Sequence, residues 1–302
     1  MDIKELNSVD ELNKRLGVKT LHPLITLLDF SKIDVSDRSE VMTYRSKLYY
    51  ISIKSGNCGK MIYGRNTYDF QDNTMVFVAP NQIVKVEREV KEGDECGAYN
   101  LFFHPDLLKD ERLATTIGDY NFFGYNVSEA LHLSPDELRV VRDCFERMSQ
   151  EMSHSIDKYS KKLIISNLEL LLWYCQRFYD RQFVTRDTMN KDILSKFEVV
   201  VNEYFATDMQ STRGLPTVKY CAERLSLSPN YLGDLIKRDT GHSAQEHLQH
   251  SIVERAKVAL TTTSKSVSEI SYSLGFEYPH YFSRLFKKRV GVSPKEYRAN
   301  LN

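Results

Sequence analysis

The last third of the chain contains one sequence pattern twice, and this duplication limits what the region can fold into. From Tyr231 and Tyr281 onward, six of sixteen paired positions are identical. Upstream, the offset between the copies changes from 50 to 49 residues. A period near 50 that occurs only twice does not make a solenoid, so the region holds two copies of one compact unit. The identical pairs are Tyr231/Tyr281, Leu235/Leu285, Lys237/Lys287, Gly241/Gly291, Ser243/Ser293 and Glu246/Glu296.

Each copy is predicted to contain two short helices joined by a turn. In the first copy, Thr217 can cap the first helix, and Pro229 can start the second helix after Ser228. In the second copy, Ser266 and Glu269 have the spacing of a capping box, and Gly275 lies in the turn. Gly241 and Gly291 end the second helix of each copy. This arrangement is typical of a helix-turn-helix, whose second helix can enter the major groove of DNA.

A longer helix is predicted between the two copies. Ser243 and Glu246 form a further capping-box pattern, and apolar residues continue at helical spacing to Leu260. About 20 residues of helix span about 30 Å, which is close to the ~34 Å of one turn of B-DNA. A rigid helix of this length would hold two recognition helices in successive major grooves on one face of the duplex.

Three segments of the duplicated region match a known pattern. They are Leu274-Gly275-Phe276, the segment YFSRLFKK at 281–288 and the segment GVSP at 291–294; LSPNYL at 227–232 matches in the first copy. On these residues, roughly the last 110 of the chain resemble the AraC/XylS family of bacterial transcription regulators. The resemblance implies a seven-helix DNA-binding domain, sequence-specific binding to double-stranded promoter DNA and contact with RNA polymerase.

Charge is unevenly distributed along the chain. The 41 basic and 41 acidic residues cancel, but from Lys196 onward 15 Lys and Arg stand against 11 Asp and Glu. This modest excess of positive charge favours binding of the C-terminal part to polyanions. The alternative explanation is an ordinary solvated surface. A non-specific architectural DNA-binding protein would carry far more positive charge. The favoured function is therefore that of a sequence-specific regulator.

The DNA-contacting residues are predicted by removing those that must face the core. Apolar side chains at helical spacing are assigned to the core: Leu232, Leu235, Ile236, Phe282, Leu285 and Phe286. The residues left to face DNA are Asn230, Gly233, Asp234, Lys237, Pro279, His280, Ser283, Arg284, Lys287 and Lys288.

Some of these side chains can be given a role in base reading. Arg284 is the candidate for a bidentate contact with guanine, because its planar fork matches O6 and N7. Asn230 could read adenine. The lysines late in each helix, Lys237, Lys287 and Lys288, are assigned to phosphates, with an ordinary surface charge as the alternative.

Two positions depart from the family pattern. Asp234 is paired with Arg284 in the duplication, and an acid cannot pair with phosphate, although it could accept a hydrogen bond from cytosine N4. Ile252 lies on the connecting helix where many family members carry arginine. Both departures predict a weaker contribution to DNA binding from the first copy.

Between about residues 22 and 110 the sequence period changes from helical towards two. Short candidate strands are separated by Gly, Asn, Asp and Pro, which is typical of a small β-barrel or sandwich. The candidate strands are 24–28, 48–53, 60–63, 75–78, 83–86 and 98–103. The family resemblance implies a cupin-like barrel that senses a small-molecule effector, with residues 74–82 near its mouth.

Two longer helices are predicted at about 134–180, the first with a capping box at Ser134 and Glu137. The family resemblance implies that such helices form a homodimer. A polar linker is expected at 181–192. The predicted fold class is thus α+β. Residues 1–180 form a sensor and dimerisation domain with a cupin-like β-barrel and flanking helices, and residues 193–302 form an all-α DNA-binding domain with two helix-turn-helix motifs.

A cupin-type metal-dependent enzyme fused to a DNA-binding module is the alternative. Its metal site would need two or three histidines and a carboxylate, yet no histidine lies between His22 and His104. His247 and His250 are three residues apart, but no third ligand is evident. We therefore expect no catalytic residue, metal or cofactor, and we expect that the chain is not an enzyme.

The cysteines and the hydropathy pattern point to a reducing compartment. Five cysteines without CxxC spacing are predicted to be buried small side chains rather than disulfides or zinc ligands. No run of 18 apolar residues occurs that would predict a membrane span. We expect a cytoplasmic protein without a membrane segment. The cysteines are Cys58, Cys96, Cys144, Cys175 and Cys221.

Overall fold

A computed structural model describes the chain in two compact units, Met1–Arg186 and Asp187–Asn302. The residues that it describes are 3–29, 32–33, 42–55, 60–63, 66–68, 73–87, 97–185 and 192–300.

The N-terminal unit contains two five-stranded sheets. Neighbouring strands are antiparallel, except that the strands Lys4–Leu6 and Met42–Ser46 run parallel. The first sheet has the order β1 (Lys4–Leu6), β3 (Met42–Ser46), β8 (Ile83–Glu87), β5 (Lys60–Tyr63), β6 (Asn66–Tyr68). The second sheet has the order β10 (Leu131–His132), β7 (Thr74–Val78), β4 (Tyr49–Ser55), β9 (Gly97–Phe103), β2 (Ile25–Asp29).

The second sheet lies between the first sheet and the helices. Val76 and Val78 on β7 form a buried cluster with Val84 of the first sheet. Phe77, which points to the opposite face because side chains alternate along a strand, lies 6.1 Å between ring centroids from Tyr179 of the long helix α4 (Ser160–Thr185). The unit is therefore layered as sheet, sheet and helix.

All six predicted strands are present, but the predicted cupin-like barrel is not confirmed. The described strands pair into two separate sheets, and no closed barrel forms among them. The sequence pattern shows the alternation of apolar and polar residues along each strand. Closure of a barrel depends instead on which strands, far apart in the chain, pair with each other. Four strands were not predicted, β1, β3, β6 and β10; three of them have only two or three residues.

Two long helices complete the N-terminal unit, together with the short α1 (Val9–Leu16) and α2 (Leu113–Thr116). Helix α3 (Pro135–Ser153) begins with the predicted capping box of Ser134 and Glu137. Helix α4 extends to Thr185, so the expectation of a linker from residue 181 was wrong for 181–185. Arg181 explains the extension, because its guanidinium bonds Glu137 Oε2 at 2.6 Å and the His132 carbonyl at 2.8 Å. Residues 186–191 of the predicted linker lie outside the described residues.

The C-terminal unit is all helical. The helices within residues 193–240 form a first lobe and those within 267–299 form a second lobe, with one long helix at 244–262 between them. The pairs α7–α8 and α10–α11 are the two predicted helix-turn-helix motifs. The helices are α5 (Ile193–Ala206), the single turn α6 (Gln210–Arg213), α7 (Val218–Arg224), α8 (Pro229–Thr240), α9 (Ala244–Thr262), α10 (Val267–Ser273), α11 (Pro279–Val290) and α12 (Pro294–Ala299).

The predicted helix ends are confirmed by the backbone. Ser228 Oγ accepts a hydrogen bond from Tyr231 N at 3.2 Å at the start of α8. Gly241 and Gly291 end α8 and α11 with φ values of +76° and +91°. The turns of the two motifs use left-handed residues at paired positions, Ser226 at φ +59° and Gly275 at φ +93°.

Among the described residues, no helix is both long and apolar enough to span a membrane.

Candidate nucleic-acid interface

The two recognition helices, α8 and α11, are anchored by the predicted apolar residues. Leu232, Leu235 and Ile236 of α8 are at most 1% exposed. In α11, Phe282 and Phe286 are fully buried, and Leu285 packs against the same cluster while partly exposed. Because these side chains fix the rotation of each helix, the opposite faces must point to solvent.

The predicted contact residues of α8 lie on its accessible face. Asn230 and Lys237 are exposed, while Gly233 and Asp234 are partly exposed. A Cβ atom added at Gly233 would have no heavy atom within 4 Å. The surface at the centre of this helix is therefore open enough for a close approach of a ligand backbone.

The predicted contact residues of α11 are also accessible. His280, Arg284, Lys287 and Lys288 are exposed. Pro279 and Ser283 are partly exposed. Three cations on one helix face provide a positive surface suited to a phosphate backbone.

Tyr281 belongs to this face, although it is not among the residues predicted from the sequence to contact DNA. Its side chain is 48% exposed, whereas the paired Tyr231 in α8 is only 4% exposed. The Tyr281 ring lies 5.3 Å from the Arg284 guanidinium carbon and 4.2 Å from the His280 ring. The spacing of three residues between Tyr281 and Arg284 was a signal for a shared helix face.

The basic run at the end of α11 is divided by the structure. Arg289 donates to Gln249 Oε1 on α9 at 2.7 Å and lies 3.8 Å from a Glu246 oxygen. Its guanidinium therefore joins α11 to α9. Lys287 and Lys288 remain on the exposed face with Arg284.

The connecting helix α9 has 19 residues, which corresponds to about 28 Å. Ile252 is 3% exposed and belongs to the core of the second lobe. Arg255, one turn later, bonds Asn202 Oδ1 at 2.6 Å and lies over the Phe205 ring at 4.5 Å. This helix is thus fixed to both lobes, and Ile252 serves packing.

Three of the described histidines, His22, His104 and His247, make local contacts. His22 Nδ1 accepts from Leu24 N at 3.1 Å, and His104 Nδ1 accepts from Asp106 N at 3.2 Å. His247 Nε2 lies 2.9 Å from Thr240 Oγ1. The described part of the chain holds no group of three His, Cys, Asp or Glu that could bind a metal ion.

Three cysteines are buried and free, as predicted: Cys144, Cys175 and Cys221. Burial raises the pKa of the Cys221 thiol to about 11, so it stays protonated at neutral pH. Cys58 and Cys96 lie outside the described residues.

Comparison with known proteins places the C-terminal unit. A family model described as a helix-turn-helix domain matches residues 221–300. The arabinose operon regulatory protein of Salmonella typhimurium is 36% identical over 78 residues, which are 26% of this chain and 28% of that protein. The C-terminal unit is an AraC-type helix-turn-helix domain.

Further similarity extends to other regulators. The HTH-type transcriptional regulator YijO of Escherichia coli is 28% identical over 192 residues, 64% of each chain. The alignments thus cover less than two thirds of these relatives. The C-terminal domain of the response regulator yesN from Fusobacterium nucleatum is 34% identical, with a TM-score of 0.30 over 33% of this chain and 95% of that chain. The names of the first two relatives describe regulators of transcription or of an operon.

Proposed function

We propose that this AraC-type chain is a sequence-specific, DNA-binding transcription regulator. The observation that carries the proposal is the presence of two recognition helices with accessible faces, α8 and α11, in one unit whose two motifs are joined by a helix of about 28 Å. All ten predicted contact residues have accessible surface on these helices. The length of α9 suits successive major grooves of one duplex, whose turn is about 34 Å.

In this binding mode the side chains divide into two groups. Arg284 reads guanine, Asn230 reads adenine and Asp234 accepts from cytosine N4. Lys237, together with Lys287 and Lys288 of α11, binds phosphates and positions the duplex. The DNA partner is a promoter in the cytoplasm, and RNA polymerase, which the family relationship suggests, is the second partner.

The proposal is tested by selecting binding sites from random duplexes and footprinting the protein on genomic fragments. We expect one consensus with two segments about ten base pairs apart, centre to centre, and a discrete footprint. Uniform coverage of the DNA without a consensus would contradict sequence-specific binding.

We propose further that the regulator is a homodimer formed through α4. One face of this helix is buried, but Leu163, Leu170 and Trp173 on the other are 48%, 43% and 58% exposed. Residues seven and ten positions apart share one side of a helix. A stripe of this kind can pair with the same stripe of a second copy around a two-fold axis.

Trp173 is the single tryptophan of the chain, so its fluorescence reports on this surface directly. We expect its emission to shift to the blue as protein concentration rises, together with a doubling of mass in light scattering. Leu170→Glu should abolish both changes. Leu21→Glu, at a residue 51% exposed elsewhere in the unit, is the matched control and should leave them intact.

The N-terminal unit is proposed to bind a small polar effector between its sheets. On the face of the second sheet towards the first, Tyr50 and Ser52 both donate to Asn100 Oδ1, at 2.7 and 2.9 Å. Ser52 and Asn100 are at most 2% exposed, so this polar group lies in the interior. A thermal-shift screen of metabolites tests the proposal, since an effector at 100 times Kd adds about 2.7 kcal/mol of stability.

A further inference from the structure

The two lobes of the AraC-type domain touch at a second place besides α9. Gly214, which follows α6, lies against Gly275 in the turn of the second helix-turn-helix. A Cβ atom added at Gly275 would lie 2.9 Å from both the carbonyl carbon and the carbonyl oxygen of Gly214. Main chain therefore contacts main chain, with no room for a methyl group between the lobes.

The first-lobe side of this contact is held firmly. The Tyr204 hydroxyl donates to the Gly214 carbonyl at 2.9 Å, and Tyr204 is 2% exposed. Leu215, the next residue after Gly214, packs against the core of the second lobe together with Phe205. Gly214 is thus a fixed point on the first lobe, against which the second lobe rests.

The second-lobe side leads directly to the recognition helix. Gly275 has φ +93° and lies four residues before Pro279, the first residue of α11. A displacement of the turn is therefore carried into α11, while α8 stays with the first lobe. Because peptide units cannot be compressed into each other, the contact limits how closely α11 can swing towards the first lobe.

We propose that the contact between Gly214 and Gly275 sets the spacing of the two DNA segments that α8 and α11 read. Gly275 is in this sense a positioning residue, since it acts through α11. The inference rests on the proposed sequence-specific binding.

The test compares Gly275→Ala with Gly291→Ala in the full-length protein. Gly291 has nearly the same backbone strain, with φ +91° against +93°, but a Cβ there would have no heavy atom within 4 Å. Affinity is measured for the selected site and for the same site with one base pair inserted or removed between its two segments. Such a change rotates the segments by about 35° relative to each other.

We expect the unmodified protein and Gly291→Ala to lose affinity at least about tenfold on the altered sites, as for a mismatched base pair. Gly275→Ala should bind the original site less tightly and lose less than about threefold on one altered site. If the ratio of the affinities for the original and the altered sites is the same for Gly275→Ala and Gly291→Ala, the inference is overturned.

A second variant guards against misfolding of Gly275→Ala, which circular dichroism would detect. Leu215→Ala removes packing between the lobes without inserting an atom. It should also reduce the ratio of the affinity for the original site to the affinity for one altered site. If Gly275→Ala does not fold, Leu215→Ala decides the test. The inference is then overturned if Leu215→Ala has the same ratio of affinities for the original and the altered sites as the unmodified protein. Absence of any preferred site for the unmodified protein would instead contradict the proposed function.

Discussion

Arg284 is the side chain on which base reading most depends. Its guanidinium is exposed and lies 5.3 Å from the Tyr281 ring, which restricts its freedom before DNA binds. We expect Arg284→Ala to cost about 1–3 kcal/mol at the selected site and to relax discrimination at one base pair. Equilibrium binding to the site and to its single-base variants measures both effects.

Lys287→Ala is the matched control on the same helix. It should weaken binding to all sequences alike and reduce the slope of log affinity against log salt by about one unit. If Arg284→Ala lost affinity equally for selected and random duplexes, its base-reading role would be wrong.

Gly233 offers a test in which stability and binding should move in opposite directions. It lies within α8, and an added Cβ atom would have no heavy atom within 4 Å, so alanine should stabilise the helix by about 0.5–1 kcal/mol. The new methyl group would stand on the face predicted to meet DNA, and affinity for the selected site should fall. Thermal unfolding and equilibrium binding check the two effects. Raised stability with unchanged affinity would show that Gly233 does not approach DNA.

The exposure of residues on α8 and α11 was predictable from the helical spacing of their apolar residues. Removing the core positions of α8 and α11 left ten candidates, and the structure leaves surface on each of them. Tyr281 was not among these candidates, although it is identical to Tyr231 in the duplication. Tyr281 is 48% exposed and Tyr231 is 4% exposed. They differ because packing around each helix depends on neighbouring residues that the duplication does not preserve.

At the scale of elements, three helices of the C-terminal unit begin with the same capping box. The pairs are Ser243 with Glu246, Ser266 with Glu269 and Ser293 with Glu296. In each, the serine backbone N–H donates to the glutamate carboxylate, at 2.7 to 2.9 Å. Hydrogen bonds from the partner serine therefore lower the pKa of each glutamate below its usual value of 4.5.

These lowered pKa values predict an acid-dependent loss of stability. A carboxyl whose pKa is lower in the folded state contributes its stabilisation above its unfolded value, and the contribution is lost as pH falls through the folded pKa. The denaturant midpoint of the C-terminal unit should thus fall as pH drops below about 4.5. The variant with Glu246→Gln, Glu269→Gln and Glu296→Gln should show a smaller fall.

The matched control for the acid titration is Glu277→Gln, an exposed carboxylate that caps no helix. It should leave the pH dependence of the midpoint unchanged. A triple variant with the same pH profile as the unmodified protein would contradict the contribution of the capping boxes.

Elements were predicted best where their signals are local. Caps, turn glycines and the length of α9 depend on neighbouring residues, and they are confirmed. The arrangement of the strands depends on partners far apart in the chain, such as β4, which pairs with β7 and β9. Alternation along a strand does not identify such partners, so a closed barrel was expected where two sheets form.

At the scale of the whole molecule, each unit has its own buried core. The core cluster of the second lobe has nine buried residues, which include Phe282 and Phe286 and four residues of α9. We expect residues 187–302 to fold alone and to select the same DNA consensus as the full chain. Their affinity for a site that two copies occupy should be lower by at least about tenfold, because the link between the copies is lost.

Circular dichroism and site selection on the fragment 187–302 provide the check. A consensus different from that of the full chain would show that the N-terminal unit itself reads bases. Failure to fold would show that the units depend on each other.

The left-handed turn residues Ser226 and Gly275 should differ in how freely they are substituted among related sequences. A Cβ at position 275 would meet the first lobe, whereas Ser226 already accommodates a side chain at φ +59°. Selection should therefore keep glycine at 275 across orthologues, while asparagine, aspartate or glycine could replace Ser226. After the duplication, one copy would have remained free to drift at this turn while the other became fixed.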